Sequence, residues 1–250
     1  MERGSALLAR ALLIHRAEHP DNEPDHTLGH GVVSTDIDGI LRCGEKEVTV
    51  VFQGDIAAKK MVKLPIMLPA GLIVDGKISV RWTVAALPQV EPNHPSDYTA
   101  MCLEDTFYPN NLIFNFTPSQ KDLLLKPRKL HTLDDASEIQ ELITAGWKQS
   151  LLPVSASGND YRSEGERRAN YKWEPIVRRS VSKKAISLNS PSLILHAIPR
   201  HNTGGRLEYA AIVTITAPKF NGDLYNSVLR QFNALQPVRL RTEAELRIEI

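Results

Sequence analysis

Four histidines near the N-terminus have a spacing that could hold a metal ion. His15 and His19 lie one helical turn apart, and His26 and His30 repeat that spacing further along the chain. Two such pairs resemble a four-ligand zinc site. However, Pro20 ends any helix after His19, the second pair lies in a turn, and no Cys or carboxylate accompanies them in a known metal pattern. We therefore expect no metal and no other cofactor. If a metal were bound, these four histidines would be the candidate ligands.

Nucleophilic catalysis would require a serine in a strained turn or at a helix start, with a histidine base and an acid. Ser5 follows a glycine and faintly matches this pattern, but only four residues precede it. The strand and cleft that would position such a serine are therefore missing. The paired carboxylates Asp36 with Asp38 and Asp134 with Asp135 fit solvated strand or helix-cap positions. We predict no catalytic residue in this chain.

A basic stretch with interleaved aromatic residues could suit phosphate contacts and base stacking. The whole chain, however, has 30 Lys and Arg against 29 Asp and Glu, and a net charge of +1. No motif of a nucleic-acid reader and no phosphate-binding GxxxxGK[ST] or GxGxxG occurs. We therefore favour a solvated loop and strand face and do not expect nucleic acid as a partner. The stretch contains Arg162, Arg167, Arg168, Lys172, Arg178, Arg179, Lys183 and Lys184, with Tyr161, Tyr171 and Trp173.

The first element that must position these residues is the apolar segment 6–17. Its leucines and alanines cover so much of a helical circumference that they predict a helix buried on most sides. The segment is too short to cross a bilayer, contains Arg10 and Arg16, and lacks a cleavage site, so it is neither an anchor nor a signal peptide. We expect the burial partner of this helix to lie outside the chain.

Most of the remaining sequence alternates between apolar and polar residues, which predicts half-buried strands. Pro65 cannot donate a backbone hydrogen bond, so the strand that contains it is expected at the edge of a sheet. Since there is no βαβ rhythm, the pattern favours a mainly β fold: an antiparallel β-sandwich, jelly-roll-like, with two or three helices. The predicted strands cover 47–53, 59–68, 77–86, 98–108, 173–188, 192–200, 206–216 and 239–250.

The segments between the strands differ in character. Residues 109–129 mix aromatics with prolines and predict a long ordered loop, and residues 154–170 predict a polar surface loop. A helix is expected after Asp134 or Asp135, which would cap it. Helical spacing of apolar residues predicts a second helix over 223–235, and Pro237 would end it. The apolar stripe of the first of these helices is Ile139, Leu142, Ile143 and Trp147.

The two cysteines, Cys43 and Cys102, lie far apart and without CxxC spacing. This pattern is typical of reduced thiols rather than of a disulfide framework. We therefore expect a cytoplasmic protein.

Several segments together resemble the C-terminal region of bacterial subtilisin-like serine peptidases of the S8 family, downstream of their catalytic serine. These are the run 11–17, which is similar to their "RALLVH" helix, the Gly29-His30-Gly31 turn, and the strands near 51–54 and 63–66. Looser matches lie at 98–107, 172–176, 209–218 and 223–225. The resemblance implies two parts: residues 1–36 as the trailing helix and turn of a peptidase-like α/β domain, and residues 37–250 as a C-terminal β-sandwich domain.

The GTSxA, HGT and DxG motifs that carry the catalytic triad of that family are missing here. The resemblance therefore implies a non-catalytic portion that stabilises a subtilisin-like catalytic domain, or docks substrate or a regulator. That domain would belong to the same parent chain or to a separate subunit. An AAA-type ATPase is a further partner that the family suggests. The alternative is a stand-alone protein-interaction module, a degenerate relative without hydrolase activity, whose first helix packs on the sandwich itself or on a second copy.

Overall fold

The chain folds mainly into antiparallel strands. The computed structural model describes residues 3–20, 29–36, 42–72, 76–94, 98–110, 114–118, 128–131, 141–142, 144–151, 174–200 and 204–232. A 3-10 helix, Ala185–Ser187, follows the eighth strand. The other elements are α1 (Arg3–Arg16), β1 (Glu47–Ala57), β2 (Met61–Pro65), β3 (Lys77–Leu87), β4 (Met101–Tyr108), β5 (Phe114–Pro118), β6 (Arg128–His131), β7 (Trp147–Leu151), β8 (Ile176–Lys184), β9 (Ser192–Pro199), β10 (Arg206–Thr216) and α2 (Leu224–Gln231).

The strands pair in a nested order: β1 with β10, β2 with β9, and β3 with β8. This is the pairing of one long antiparallel ribbon that folds back on itself. Two further pairs, β10 with β3 and β4 with β9, produce sheets of order β1-β10-β3-β8 and β2-β9-β4. Two sheets formed in this way make a sandwich of the jelly-roll kind, so the predicted fold class is confirmed. A third sheet, β6-β5-β7, comes from the chain between β4 and β8.

The main hydrophobic core lies between the four-stranded sheet β1-β10-β3-β8 and the three-stranded sheet β2-β9-β4. It is built from alternate residues of each strand, as the period of two in the sequence predicted. From β9, Leu193, Leu195 and Ala197 enter this core. The residues that β10 contributes are Leu207, Tyr209, Ala211, Val213 and Ile215.

A small polar network joins the sheets inside the sandwich. Trp82 of β3 stacks on Phe107 of β4, with ring centroids 5.8 Å apart. The indole N–H of Trp82 donates to Asp105 of β4 at 2.6 Å, and Arg179 of β8 lies 3.1 Å from the same carboxylate. Because the Asp105 side chain is only 4% exposed, it needs both partners to offset the cost of its burial.

Helix α1 packs on the outer face of the four-stranded sheet, opposite the main core. On this face β3 and β10 present Ala85 and Ala210, and these small side chains let the helix approach until Ala11 is fully buried. Leu13, by contrast, is 47% exposed, so α1 is not buried on most sides as predicted. The packed face of α1 lies on the chain's own sheet, where a partner outside the chain was expected. Among the described residues, no helix has the length and apolar character needed to cross a membrane.

Two predicted elements differ from the structure. The loop expected over 109–129 contains β5 and the start of β6; its prolines stand at or outside the end of β5, and its aromatic residues favour strands. The helix expected to reach Trp147 ends earlier, because Gly146 adopts φ 79°, a conformation that terminates helices. Trp147 instead opens β7, which pairs with β5.

Other predicted elements agree where the structure describes them. Pro65 ends β2 at the edge of its sheet. The backbone N–H of Asn226 donates to Asp223 at 3.0 Å, which caps α2 at its start. Asp134, Asp135 and Ile139, the polar loop 154–170 and the strand 239–250 lie outside the described residues, and the division at residue 36 stays a prediction.

Candidate functional site

His15 lies at the buried centre of the contact between α1 and the sheet, and it is 0% exposed. Its Nδ1 atom is 2.9 Å from the Thr83 hydroxyl of β3, and its Nε2 atom is 2.8 Å from the Thr214 hydroxyl of β10. One ring nitrogen donates and the other accepts, and a hydroxyl group can play either role. Both nitrogens are used inside the fold, so neither is left to bind a metal ion.

The hydrogen bonds continue from His15 along the underside of the helix. The Thr214 hydroxyl bonds that of Thr49 at 2.7 Å, and Arg16 donates to Thr49 at 3.4 Å. The other end of the Arg16 guanidinium lies 2.8 Å from Glu47. Because buried polar groups need fixed partners, this set determines where α1 lies on the sheet. We call it the polar junction, made of His15, Arg16, Glu47, Thr49, Thr83 and Thr214.

The polar junction keeps His15 neutral. Burial lowers the pKa of His15 from 6.5 to about 3, and the positive charges of Arg16, Arg81 and Arg178 act in the same direction. A histidine with this pKa carries no charge near neutral pH. In this neutral form its two ring nitrogens satisfy two buried hydroxyl groups.

Arg178 of β8 fixes the C-terminal end of α1. Its Nη1 atom donates to the carbonyl oxygen of Ile14 at 2.9 Å and also to that of Ala17. Its Nη2 atom donates to the carbonyl oxygen of His30 at 2.8 Å. The last carbonyls of a helix have no partner within the helix, and a cation is favourable at that end. Arg178 therefore ties α1 and the returning chain near His30 to the sheet.

The returning chain makes a tight turn against the end of the helix. Glu18 and Val32 exchange two backbone hydrogen bonds, of 3.0 and 2.8 Å. Between them Gly31 adopts φ +104°, and a Cβ atom at this position would lie 2.5 Å from the backbone carbonyl of Glu18. Only glycine fits such a position without a shift of the backbone, so Gly31 lets the returning chain lie directly against the end of α1.

Three of the four metal candidates, His15, His19 and His30, lie within the described residues. His15 is committed to threonines, and His26 lies outside the described residues. Burial and the nearby charges of Arg178, His19 and Arg10 lower the pKa of His30. Within the part of the chain that the structure describes, no group of three or more His, Cys, Asp or Glu side chains could hold a metal ion. Ser5 lies within α1.

A polar pocket of about 320 Å³ lies beside the end of α1, lined by Ala17, Glu18, His19, Arg81, Arg178, Arg179 and Ser180. Its arginines already have partners: Arg178 binds backbone carbonyls, Arg179 pairs with Asp105, and Arg81 lies 3.9 Å from Glu18. Two residues of the basic stretch singled out in the sequence therefore hold the fold together. The part of that stretch over 160–173 lies outside the described residues.

A second concave surface, which sequence reasoning missed, lies at the end of the sandwich where α2 finishes. Its volume is about 630 Å³. The most exposed apolar residue there is Ile186, which is 68% exposed. We call this surface the apolar groove; its lining includes Lys63, Pro65, Ile66, Met67, Leu68, Pro69, Leu72, Ala185, Ile186, Leu188, Pro191, Gln231 and Phe232.

Comparison with known proteins adds little. No family model matches the sequence, and no curated protein matches it. Among solved structures, the chain is similar to the crystal structure of the infectious bursal disease virus VP2 subviral particle, with a TM-score of 0.29 and 8% sequence identity. The similarity covers 80% of this chain and 39% of that chain. A likeness this slight bears on neither family nor function.

Proposed function

We propose that the chain is a non-catalytic β-sandwich module that acts by binding another protein. The observation that carries the proposal is the packing of α1 on the chain's own sheet, with His15 held between Thr83 and Thr214. The helix and the sandwich share one set of buried contacts. Both ring nitrogens of His15, the histidine whose pKa is shifted furthest, are used in these contacts. The apolar groove gives such a module a surface on which a partner can bind.

Activity-based labelling tests the non-catalytic part of this proposal. We expect a fluorophosphonate probe to leave the purified 250-residue chain unlabelled, and we expect no cleavage of a casein substrate. Ser5→Ala is the matched control, because Ser5 is the serine that came closest to a nucleophile pattern. Labelling that disappears in Ser5→Ala would contradict the proposal.

A second candidate gives the partner an identity: a subtilisin-like catalytic domain, in the same parent chain or in a separate subunit. The resemblance of the α1 sequence to the trailing helix of such peptidases suggests it. The exposed side of α1 also favours it, because Ala6, Ala9 and Leu13 follow i, i+3, i+7 spacing and are all exposed. This spacing forms a single apolar stripe on a helix. The module would then stabilise the catalytic domain or dock substrate or a regulator, and an AAA-type ATPase would be a further partner.

Genomic context and one substitution test this second candidate. The gene, or the gene beside it, should encode the GTSxA, HGT and DxG motifs, and the two products should purify together. Leu13→Glu should abolish that complex, whereas Val90→Glu, at a residue of similar exposure (48%) on a different surface, should leave it intact. Neighbouring genes without the three motifs would remove the basis for this candidate.

We also propose a cytoplasmic location. Cys43 and Cys102 are not joined in a disulfide, which supports a reducing compartment. Alkylation of the unfolded chain, taken directly from cells, should modify both thiols, and a mass that shows either cysteine oxidised would contradict this location.

A further inference from the structure

We propose that the polar pocket beside the end of α1 is an oxyanion site that binds the phosphate group of a phosphate monoester. This inference goes beyond the proposed function, because it holds whether or not the chain also binds a protein through another surface. Three observations support it: two arginines share the pocket, their partners leave positive charge there, and the adjoining sheet face carries further cations.

Strand register brings the two arginines to the same face of the sheet. Thr83 is the register partner of Arg178, and Arg81 is that of Ser180. Thr83 bonds His15 of α1, so it points to the outer face, and residues two positions apart on a strand share a face. Arg81, Arg178 and Ser180 therefore stand together on the outer face, and all three line the pocket.

The partners of the two arginines leave positive charge in the pocket. Arg178 donates to three backbone carbonyls, which carry no net charge, and these bonds use three of the five N–H groups of a guanidinium. Arg81 lies 3.9 Å from Glu18, whose side chain is 70% exposed, and this separation is beyond hydrogen-bond range. Burial lowers the pKa of Arg178, and the charge of Arg81 lowers it further. The two guanidinium groups therefore lie close enough to repel each other, and an anion between them would relieve that repulsion.

The sheet face next to the pocket extends the positive charge. Residues 77–81 of β3 and 178–184 of β8 include no Asp or Glu, and Lys77 lies directly opposite Lys184. Like charges in such a pair destabilise a sheet. A lysine on an edge strand can prevent aggregation, but Lys77 and Arg81 belong to β3, which lies between β10 and β8. Edge protection therefore does not explain them, whereas attraction of an anion does.

The donors of the pocket fit a phosphate group better than a carboxylate. Guanidinium groups from two strands and the Ser180 hydroxyl can each donate to a different oxygen atom of one anion. A phosphate monoester has three terminal oxygens and a charge of about −1.5 to −2 at pH 7, so it can neutralise both arginines. A carboxylate has two oxygens and a single charge. The volume of about 320 Å³ leaves room for the group that carries the phosphate.

Calorimetric titration of the 250-residue chain tests the proposal. One capped pentapeptide has a phosphoserine between glycines, two counterparts have glutamate or serine instead, and inorganic phosphate is the fourth probe. We expect the phosphoserine peptide to bind at least about tenfold more tightly than either counterpart. Two outcomes support the site and identify its ligand. Inorganic phosphate that binds as tightly as the peptide indicates a small phosphorylated molecule, and tighter binding of the peptide indicates a phosphorylated protein.

Two substitutions with opposite expected effects locate the site. Arg81→Met should weaken binding of the phosphoserine peptide by about tenfold or more, because it removes charged donors. Glu18→Gln should tighten binding by about threefold, because it removes a carboxylate that competes for Arg81. Both side chains are at least 44% exposed, so both variants should fold. The control is Arg206→Met, which also removes one positive charge: Arg206 begins β10, whereas Thr214, the register partner of Arg81, lies near its other end.

Several results would overturn the inference. Equal binding of the phosphoserine and glutamate peptides would do so, because it would reduce the site to general charge attraction. Equal losses in Arg81→Met and Arg206→Met would have the same meaning, and so would weaker binding in Glu18→Gln. The proposed function fails separately, since serine labelling would contradict it without changing any of these affinities.

Discussion

The polar junction and the apolar groove differ in which side chains they bury: the junction buries polar side chains, whereas the groove exposes an apolar one. In the junction, His15, Thr83 and Thr214 are buried and hydrogen-bonded to one another. In the groove, Ile186 is apolar and 68% exposed. The first arrangement stabilises the fold and offers nothing to a ligand, whereas the second stabilises the fold little and offers an apolar surface. The contrast separates residues that hold this molecule together from residues that are free to bind.

The largest expected effect is in the polar junction. His15→Ala removes two buried hydrogen bonds and leaves a cavity under α1, so it should lower the free energy of unfolding by about 3–5 kcal/mol. Urea denaturation followed by tryptophan fluorescence measures this change. Leu13→Ala, on the exposed side of the same helix, should cost no more than about 0.5 kcal/mol. Similar losses in the two variants would erase the distinction between the faces of α1.

Acid should weaken the polar junction through the same residue. The pKa of His15 is about 3 in the folded protein and 6.5 in its ordinary state, so the unfolded chain binds a proton first as the pH falls. Stability from neutral His15 is fully present above pH 6.5 and is lost progressively between pH 6.5 and 3. The expected loss of stability at pH 4.5 is roughly 3 kcal/mol, since each unit of pKa difference corresponds to a little over 1 kcal/mol.

The matched variant for this pH dependence is His15→Asn, which keeps a polar side chain that does not titrate. The difference in unfolding free energy between the two proteins should shrink as the pH falls from 7 to 4.5. A difference that stays constant over this range would show that His15 is not buried in its neutral form.

Arg178 should contribute less than His15. Arg178→Met keeps an unbranched aliphatic stem but removes the donors to the carbonyls of Ile14, Ala17 and His30, at an expected cost of about 2 kcal/mol. The control is Arg206→Met, because Arg206 makes two 2.6 Å hydrogen bonds to Asp55 on the exposed surface, where water screens an ion pair and leaves it little net effect on stability. Equal losses would mean that capping of α1 adds nothing beyond an ordinary surface contact.

The smallest expected effect is in the apolar groove. Ile186→Glu should change the free energy of unfolding by no more than about 0.5 kcal/mol, because a side chain this exposed contributes little to the core. Thermal unfolding of the variant beside the parent protein measures it. A loss above about 2 kcal/mol would place Ile186 among the residues that hold the sandwich together.

The fold was largely predictable because one face of each core strand alternates cleanly. The outer faces were harder. On β10, Ala210, Ile212 and Thr214 are buried as well, because α1 covers them. A search for alternating apolar and polar residues assumes that only one face of a strand is buried, so it does not predict this second buried face. The signal was present in residue type: small or uncharged side chains occupy the positions where a solvated strand would carry charges.

The candidate sites were less predictable because their parts come from distant segments. His15 stood out in the sequence, but its partners are 68 and 199 residues away, so no local spacing could reveal them. Histidine spacing suggested a metal where the fold uses hydroxyl groups. The apolar groove draws on three separated segments without a shared motif. The groove's lining includes Pro65, Pro69 and Pro191. In a sequence, however, prolines indicate turns and do not indicate a binding surface.

Hydrogen exchange of α1 in the 250-residue chain is the sharpest test of whether this helix is an integral part of the sandwich. The amides of residues 9–15 should exchange as slowly as those of β10, with opening free energies close to that of global unfolding. In His15→Ala, the protection of α1 should fall while that of β10 remains higher. Fast exchange of α1 in the unmodified chain, on the timescale of fraying ends, would show that the helix is not an integral part of the sandwich.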